Sequence, residues 1–75
     1  MEDKTMTKYR VIKDLQGGSF GMYRDFTVEK WREQAIEWAD MDDNEELIAV
    51  LECLKDEKVI PFIADFWELE FEAVN

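Results

Sequence analysis

A short stretch of the chain, EWADMDDNEE, concentrates acidic side chains over residues 37–46. Six of its ten residues carry a carboxylate and none carries a positive charge. Such a concentration suits three kinds of chemistry, which are cation binding, acid–base catalysis and electrostatic recognition of a basic partner. The spacing of the carboxylates helps to decide among them.

A calcium loop of the EF-hand type is present only in its first half. Oxygen-bearing side chains occupy alternate positions at Asp40, Asp42, Asn44 and Glu46. Counted from Asp40, the sixth position is Glu45, where such a loop needs glycine. The twelfth position is Leu51, where it needs a bidentate glutamate. We therefore expect no specific metal site and no cofactor.

The sequence does not indicate catalysis by paired carboxylates either. Any two of the nineteen acidic residues can be described as a pair, so the pattern is not specific. The chain has no histidine, and Ser19 is its only serine. A chain of 75 residues also has little room for an enclosed pocket. The glycine-rich QGGSFG resembles a phosphate loop only weakly, because a β-favouring run follows it instead of a helix. We expect a protein that is not an enzyme and has no catalytic residues.

The third possibility is electrostatic recognition of a basic partner. The spacing of the acidic residues is compatible with it. The candidate partner-binding residues, called here the acidic face, are Glu29, Glu33, Glu37, Asp40, Asp42, Asp43, Glu45 and Glu46. The first four recur at steps of four, four and three residues, which places them on one side of a helix, opposite a Trp31–Trp38 stripe. Lys30 and Arg32 are expected to flank this row and soften its repulsion.

The charge distribution indicates which partner this surface would suit. Residues 1–28 carry 5 − 4 = +1 and residues 29–75 carry 4 − 15 = −11, giving the formal total of −10. Direct binding to nucleic acid or an anionic membrane is thus disfavoured, whereas a basic protein is attracted. Charges about 6 Å apart along a helix partly imitate a phosphate track, and Glu68, Glu70 and Glu72 are candidates to extend it. The competing interpretation is an acidic surface that serves solubility alone.

The N-terminal elements that would position these residues begin with two β-favouring runs. Tyr9–Leu15 and Gly21–Phe26 are predicted to form a hairpin around Gly17 and Gly18. A first helix is predicted over residues 28–40, with Thr27 as its N-cap. Phe26 and Trp31 occupy the positions of a hydrophobic staple at the start of this helix.

Three further elements follow. A second helix over residues 44–56 is predicted to be capped by Asp43, with Glu46 completing a capping box. A third helix is predicted from Lys58 to Phe66, with Pro61 in its first turn. Their apolar sides are predicted to comprise Leu47, Val50, Leu51 and Leu54 in the second helix, and Val59, Phe62, Ile63 and Phe66 in the third. From Trp67 apolar residues alternate with Glu68, Glu70 and Glu72, as in a strand with one buried face.

The predicted order is β-β-α-α-α-β, an α+β fold in which the C-terminal strand joins the N-terminal hairpin in a small antiparallel sheet. The alternative is an all-helical chain in which the C-terminal run continues the third helix.

We expect a single domain over residues 1–75, flexible over residues 1–6. Cys53 has no partner for an internal disulfide and is expected to be buried. A free thiol and the lack of a long apolar run favour a cytoplasmic protein.

The stretch KYRVIKDLQGGSFGMYRDFTVEKWREQAIEWADMDDNEEL resembles the small acidic accessory proteins that bacteriophages and other mobile elements encode. Many members of that group have no known activity, and some bind and block nucleic-acid enzymes. The resemblance implies a binding protein without catalytic activity, and it carries over no functional residue. The predicted partner is thus a basic protein, with the chain itself a monomer or weak homodimer. A structural protein that self-associates through surplus aromatic residues, or a small soluble domain without such a role, remains the alternative.

Overall fold

The structure is a computed structural model that describes residues 7–19 and 22–74. Its elements, in chain order, are β1 (Lys8–Asp14), β2 (Phe26–Thr27), α1 (Val28–Met41), α2 (Glu45–Cys53), α3 (Asp56–Phe66) and β3 (Leu69–Val74). The predicted α+β order, β-β-α-α-α-β, is confirmed. The prediction of flexibility for residues 1–6 lies outside the described residues.

The sheet has three antiparallel strands in the order β2-β1-β3. The central strand β1 pairs with β3 from Lys8 opposite Val74 to Asp14 opposite Leu69. A register irregularity between Val11 and Lys13 interrupts this ladder. Since the C-terminal run forms the strand β3, the all-helical alternative is wrong.

Within the described residues, the predicted second strand, Gly21–Phe26, is a strand only at Phe26, so that prediction is wrong for residues 22–25. The strand β2 has two residues, Phe26 and Thr27, and Gly21 lies outside the described residues. Tyr23 has a left-handed backbone conformation, with φ of 64°, that a strand does not accommodate. Met22 forms an isolated parallel bridge with Val11, so the chain there does not return as the second arm of a tight hairpin.

The helix α1 begins as its sequence predicts. The hydroxyl of Thr27 accepts a hydrogen bond from the backbone N–H of Lys30 at 3.3 Å. The rings of Phe26 and Trp31 lie 4.9 Å apart, as expected for a hydrophobic staple. Thus the cap and the staple together set the direction in which α1 leaves the sheet.

The helix α2 begins one residue later than predicted, because Asn44 and not Asp43 is its N-cap. The side chain of Asn44 accepts a hydrogen bond from the backbone N–H of Leu47 at 3.1 Å. Asp43 instead has φ of 53° in the turn that precedes the helix. The third residue after the cap is therefore Leu47, so Glu46 cannot complete a capping box.

The helix α3 extends over Asp56–Phe66, two residues earlier than predicted. Pro61 is consequently the sixth residue of α3 and lies in its second turn, not its first. A proline there cannot donate the usual hydrogen bond to the carbonyl four residues earlier, that of Glu57. After α3, Trp67 and Glu68 turn the chain, with φ of 55° at Glu68.

The core lies between the sheet and the helices. Its largest fully buried side chains are Trp31, Leu51, Ile63, Val11 and Val59. Among the predicted apolar positions, Val50 and Phe66 are exposed, so that part of the prediction is wrong. Cys53 is also exposed, contrary to expectation. Because Leu47 and Leu51 define the inner side of α2, the position two residues after Leu51 points outward.

No helix in the described part of the chain is both long and apolar enough to cross a membrane.

Candidate protein-binding surface

All eight carboxylates of the acidic face are exposed. Four lie on α1, two in the turn after it and two in the first turn of α2. The side of α1 opposite them is buried by Trp31, Ala35, Trp38 and Ala39. Because these apolar residues pack into the core, α1 directs the acidic residues away from the sheet.

Backbone hydrogen bonds hold the turn between α1 and α2. The N–H of Asp42 and the N–H of Asn44 both donate to the carbonyl of Ala39, at 3.2 and 2.9 Å. The N–H of Asp43 donates to the carbonyl of Asp40 at 3.0 Å. Since the backbone groups satisfy each other, the Asp42 and Asp43 carboxylates remain exposed at a defined bend in the surface.

The two cations expected to soften the acidic row do not reach its middle residues. Arg32 is only 9% exposed, so most of its guanidinium is turned into the protein and not along the row. The ammonium of Lys30 lies 5.8 Å from the centre of the Phe26 ring, at the start of α1. Only Glu29, at the end of the row, reaches the Arg32 guanidinium, at 3.4 Å. The middle of the row therefore receives less neutralisation than its sequence suggests.

Arg32 instead connects the three helices. Its Nη1 donates to the backbone carbonyl of Leu51 in the last turn of α2, and its Nη2 donates to the Asp56 carboxylate at 2.9 Å. The helix α2 has no basic residue in its own last turn. A positive charge there is favourable because the carbonyl end of a helix is partially negative. Arg32 thus supplies to α2, from α1, the cation that its own sequence lacks.

The glutamates of β3 do not extend the acidic face. Leu69 is buried and Phe71 packs edge-on against Trp31 at 5.1 Å, so these residues face the helices. Glu70 and Glu72 alternate with them and face the opposite side of the sheet. There they lie opposite Lys13 and Arg10 of β1. The helix side is therefore strongly acidic, whereas the outer side of the sheet has mixed charge.

Arg10 also makes an ion pair with Asp25 on this outer side. Its Nε and Nη2 donate to the two carboxylate oxygens at 2.6 and 2.9 Å. The hydrogen bond from Arg10 lowers the pKa of Asp25 below its ordinary value, and the same hydrogen bond raises the pKa of Arg10. This forked pair holds the loop before β2 against β1.

Exposed apolar side chains could provide contact area beside the charges. Met41 is 72% exposed and lies between Asp40 and Asp42 within the acidic face. Tyr23 is 78% exposed, but it precedes β2 and is not part of the acidic face. Met41 was missed because a methionine at a helix end gives no periodic signal.

A groove of about 590 Å³ lies at the other end of α1, beside the first turns of α3. Its lining residues are Thr7, Tyr9, Val28, Asp56, Glu57, Ile60 and Pro61. Apolar walls with carboxylates at the rim can accept an apolar or cationic group. Asp56, however, already accepts a hydrogen bond from Arg32, so this groove is partly engaged in holding the fold.

Within residues 7–19 and 22–74, no group of three aspartate, glutamate or cysteine side chains is arranged to hold a metal ion. No family model, no curated protein and no solved structure matches the chain.

Proposed function

We propose that this protein is a non-enzymatic binding protein. Its acidic face docks on a basic, nucleic-acid-binding surface of a partner protein and covers that surface. The observation that carries the proposal is that the two nearby cations do not pair with the middle of the row, Glu33, Glu37 and Asp40. Arg32 is engaged by Leu51 and Asp56, and Lys30 lies over Phe26. The exposed carboxylates in the middle of the row therefore keep their charge available to attract a basic partner.

The spacing of the row supports a nucleic-acid-binding partner. Glu29, Glu33 and Glu37 are separated by four residues each, which corresponds to about 6 Å along a helix. The phosphates of one DNA strand advance about 3.4 Å along the helix axis, so the row resembles alternate phosphates. Asp42, Asp43 and the start of α2 continue the negative surface around a bend. The resemblance to small acidic phage-encoded proteins, some of which block nucleic-acid enzymes, implies a non-enzymatic binding protein.

The mechanism has two stages. Long-range attraction between the acidic face and a basic patch accelerates the encounter. Met41, surrounded by acidic residues and 72% exposed, then loses its water on contact and provides apolar area at the centre of the interface. Nucleic acid is excluded because the same cationic surface cannot bind both partners.

Charge reversal of the row provides the test. We expect a variant with Glu33→Lys, Glu37→Lys and Asp40→Lys to bind the partner about 100-fold more weakly, since each of three contacts changes from attraction to repulsion at about 1 kcal/mol. The partner is recovered by affinity capture on the wild-type protein with stepwise salt elution. Its affinity is then measured with purified components, together with competition by DNA and RNA.

A matched control changes the same amount of charge elsewhere. Glu52, Glu57 and Asp65 are exposed and lie outside the acidic face, so their replacement by lysine should leave most of the affinity intact. Equal weakening by the two triple variants would mean that net charge, and not the acidic face, governs binding. A partner that still binds nucleic acid when saturated with this protein would contradict the proposed occlusion.

Self-association through aromatic residues is a second candidate, and one cluster favours it. Phe66 is 49% exposed, its ring stacks with Phe62 at 5.9 Å and it contacts Trp67 at 4.7 Å. This surface lies at the end of α3, apart from the acidic face.

If the cluster forms a dimer interface, sedimentation equilibrium should give a mass that rises with concentration and is insensitive to moderate salt. A Phe66→Ser variant should then remain monomeric, whereas Tyr23→Ser, which alters an exposed ring elsewhere, should not change the mass. A monomeric wild-type protein over the whole concentration range would exclude this candidate.

A further inference from the structure

The strand β3 has a free edge. In the order β2-β1-β3 it is the outermost strand, and no strand of the described chain pairs with its other side. Residues of a strand direct their backbone N–H and C=O groups alternately to its two neighbours. About three of the six residues of Leu69–Val74 therefore direct both groups outward. Such an edge is a template on which another strand can pair.

We propose that the free edge of β3 is a docking site for a basic β-strand of a partner protein, which joins the sheet as a fourth strand. The proposal goes beyond the acidic face, because β3 provides a separate surface with its own recognition chemistry. Backbone hydrogen bonds would supply affinity, and the side chains on the two faces of β3 would select the sequence of the incoming strand.

The charges on β3 define one face of that strand. On the outer side of the sheet, Glu72 lies opposite Arg10 and Glu70 lies opposite Lys13, both on β1. The free edge offers the same two glutamates a second neighbour. A lysine or arginine at alternate positions of the incoming strand would lie beside each of them, forming cross-strand pairs of opposite charge. Both glutamates are exposed and accessible to such contacts.

The helix side of β3 defines the other face of the incoming strand. Phe71 is half-buried against Trp31, and Ala73 is exposed although it alternates on the same side. Apolar residues at the remaining positions of an added strand would cover this incompletely buried area. The partner strand is thus expected to alternate basic and apolar residues.

A second copy of this chain fits the edge poorly. In an antiparallel pair of two β3 strands, directly opposite residues share a face, so Glu70 and Glu72 would oppose the glutamates of the second copy. Like charges opposite each other are destabilising. Charged residues on edge strands commonly prevent such pairing. The glutamates therefore select against self-pairing while they favour a basic strand.

The test uses a synthetic peptide of eight residues, acetylated and amidated, in which lysine alternates with valine and threonine. It is added to the full chain labelled with ¹⁵N at 0.15 M salt, where charges interact over only about 8 Å. Hydrogen exchange of the β3 amides is followed by NMR. We expect slower exchange at about three β3 amides, namely those directed outward. A peptide of equal charge with every amide N-methylated should give no protection.

Two matched double variants separate the edge from the acidic face. Glu70→Gln with Glu72→Gln should weaken binding of the peptide about 2- to 30-fold, as expected for the loss of two cross-strand charge pairs. Glu33→Gln with Glu37→Gln removes the same charge from α1 and should change that affinity less than twofold. If the acidic face proved not to bind a partner, the same effects of these two double variants on peptide affinity would still be expected.

The proposal would be overturned by any of three results. Equal binding of the N-methylated peptide would show that charge alone attracts it. Peptide-induced changes confined to α1 and α2, or no binding, would show that β3 is not the docking site. Protection of the β3 amides that rises with protein concentration in the absence of peptide would show that the edge pairs with a second copy.

Discussion

Replacement of Trp31 by alanine is expected to leave most of the protein unfolded at 25 °C. Trp31 is fully buried and contacts Phe26, Trp38 and Phe71 from three elements, with ring centres 4.9, 6.2 and 5.1 Å away. Truncation of such a residue costs about 3–5 kcal/mol. A core of this size supplies about 3–5 kcal/mol of net stability, so the loss consumes nearly all of it.

Trp31 also contributes a hydrogen bond that other aromatic residues cannot replace. Its indole Nε1 donates to the backbone carbonyl of Tyr9 at 2.8 Å, which joins α1 to β1. A Trp31→Phe variant retains much of the packing but leaves that carbonyl without this donor. We expect it to fold with a free energy of unfolding about 1–3 kcal/mol lower than that of the wild type.

Urea denaturation followed by far-UV circular dichroism measures both effects. Tyr23→Ala is the control, because Tyr23 is 78% exposed and surface changes usually remain within about 0.5 kcal/mol. A wild-type unfolding midpoint for Trp31→Ala would show that the core is not organised around this side chain.

The second large effect is expected at Arg32. Replacement by methionine retains an unbranched apolar stem but removes the guanidinium from Leu51 and Asp56. Hydrogen bonds to charged groups are worth about 1.5–3 kcal/mol, so we expect a loss of about 2–3 kcal/mol. For a domain of this size, that corresponds to a decrease in Tm of about 10–20 °C. Thermal unfolding followed by circular dichroism measures this shift.

Arg24 provides the matched control for Arg32. It is exposed and donates to the Gln34 side chain at 2.8 Å, so Arg24→Met should change stability by no more than about 0.5 kcal/mol. Arg32→Lys should fall between the wild type and Arg32→Met, because lysine retains the charge without the forked geometry. Equal effects of the two methionine variants would mean that Arg32 acts only as one charge among many.

These two residues show how far sequence reasoning extends. The apolar spacing of Trp31, Ala35, Trp38 and Ala39 predicts the buried side of α1, and the structure confirms it. Arg32 lies next to that stripe, and its charge predicts a solvent-exposed position. Its burial depends on a carbonyl at the end of α2 and a carboxylate at the start of α3. Neither is adjacent in sequence, so the spacing within α1 carries no information about them.

The two candidate surfaces also differ in how far the sequence predicts them. Exposure of the four acidic residues on α1 follows from helical periodicity, because the residues opposite a buried stripe must face solvent. The separation of Glu70 and Glu72 from that face depends on the pairing of β3 with β1. The free edge of β3 likewise depends on strand order, which alternation within a single strand does not specify.

The order of the elements, the cap of α1 and the alternation of apolar and acidic residues in β3 could be predicted from the sequence, because they depend on residues a few positions apart. Alternation alone left open whether the C-terminal run pairs as a strand or continues α3. The places where the elements meet became known from the three-dimensional packing. It reduced the second strand to Phe26–Thr27, moved the α2 cap to Asn44 and left Cys53 exposed. Each of these outcomes depends on packing and hydrogen-bonding geometry, which the periodicity of one segment does not contain.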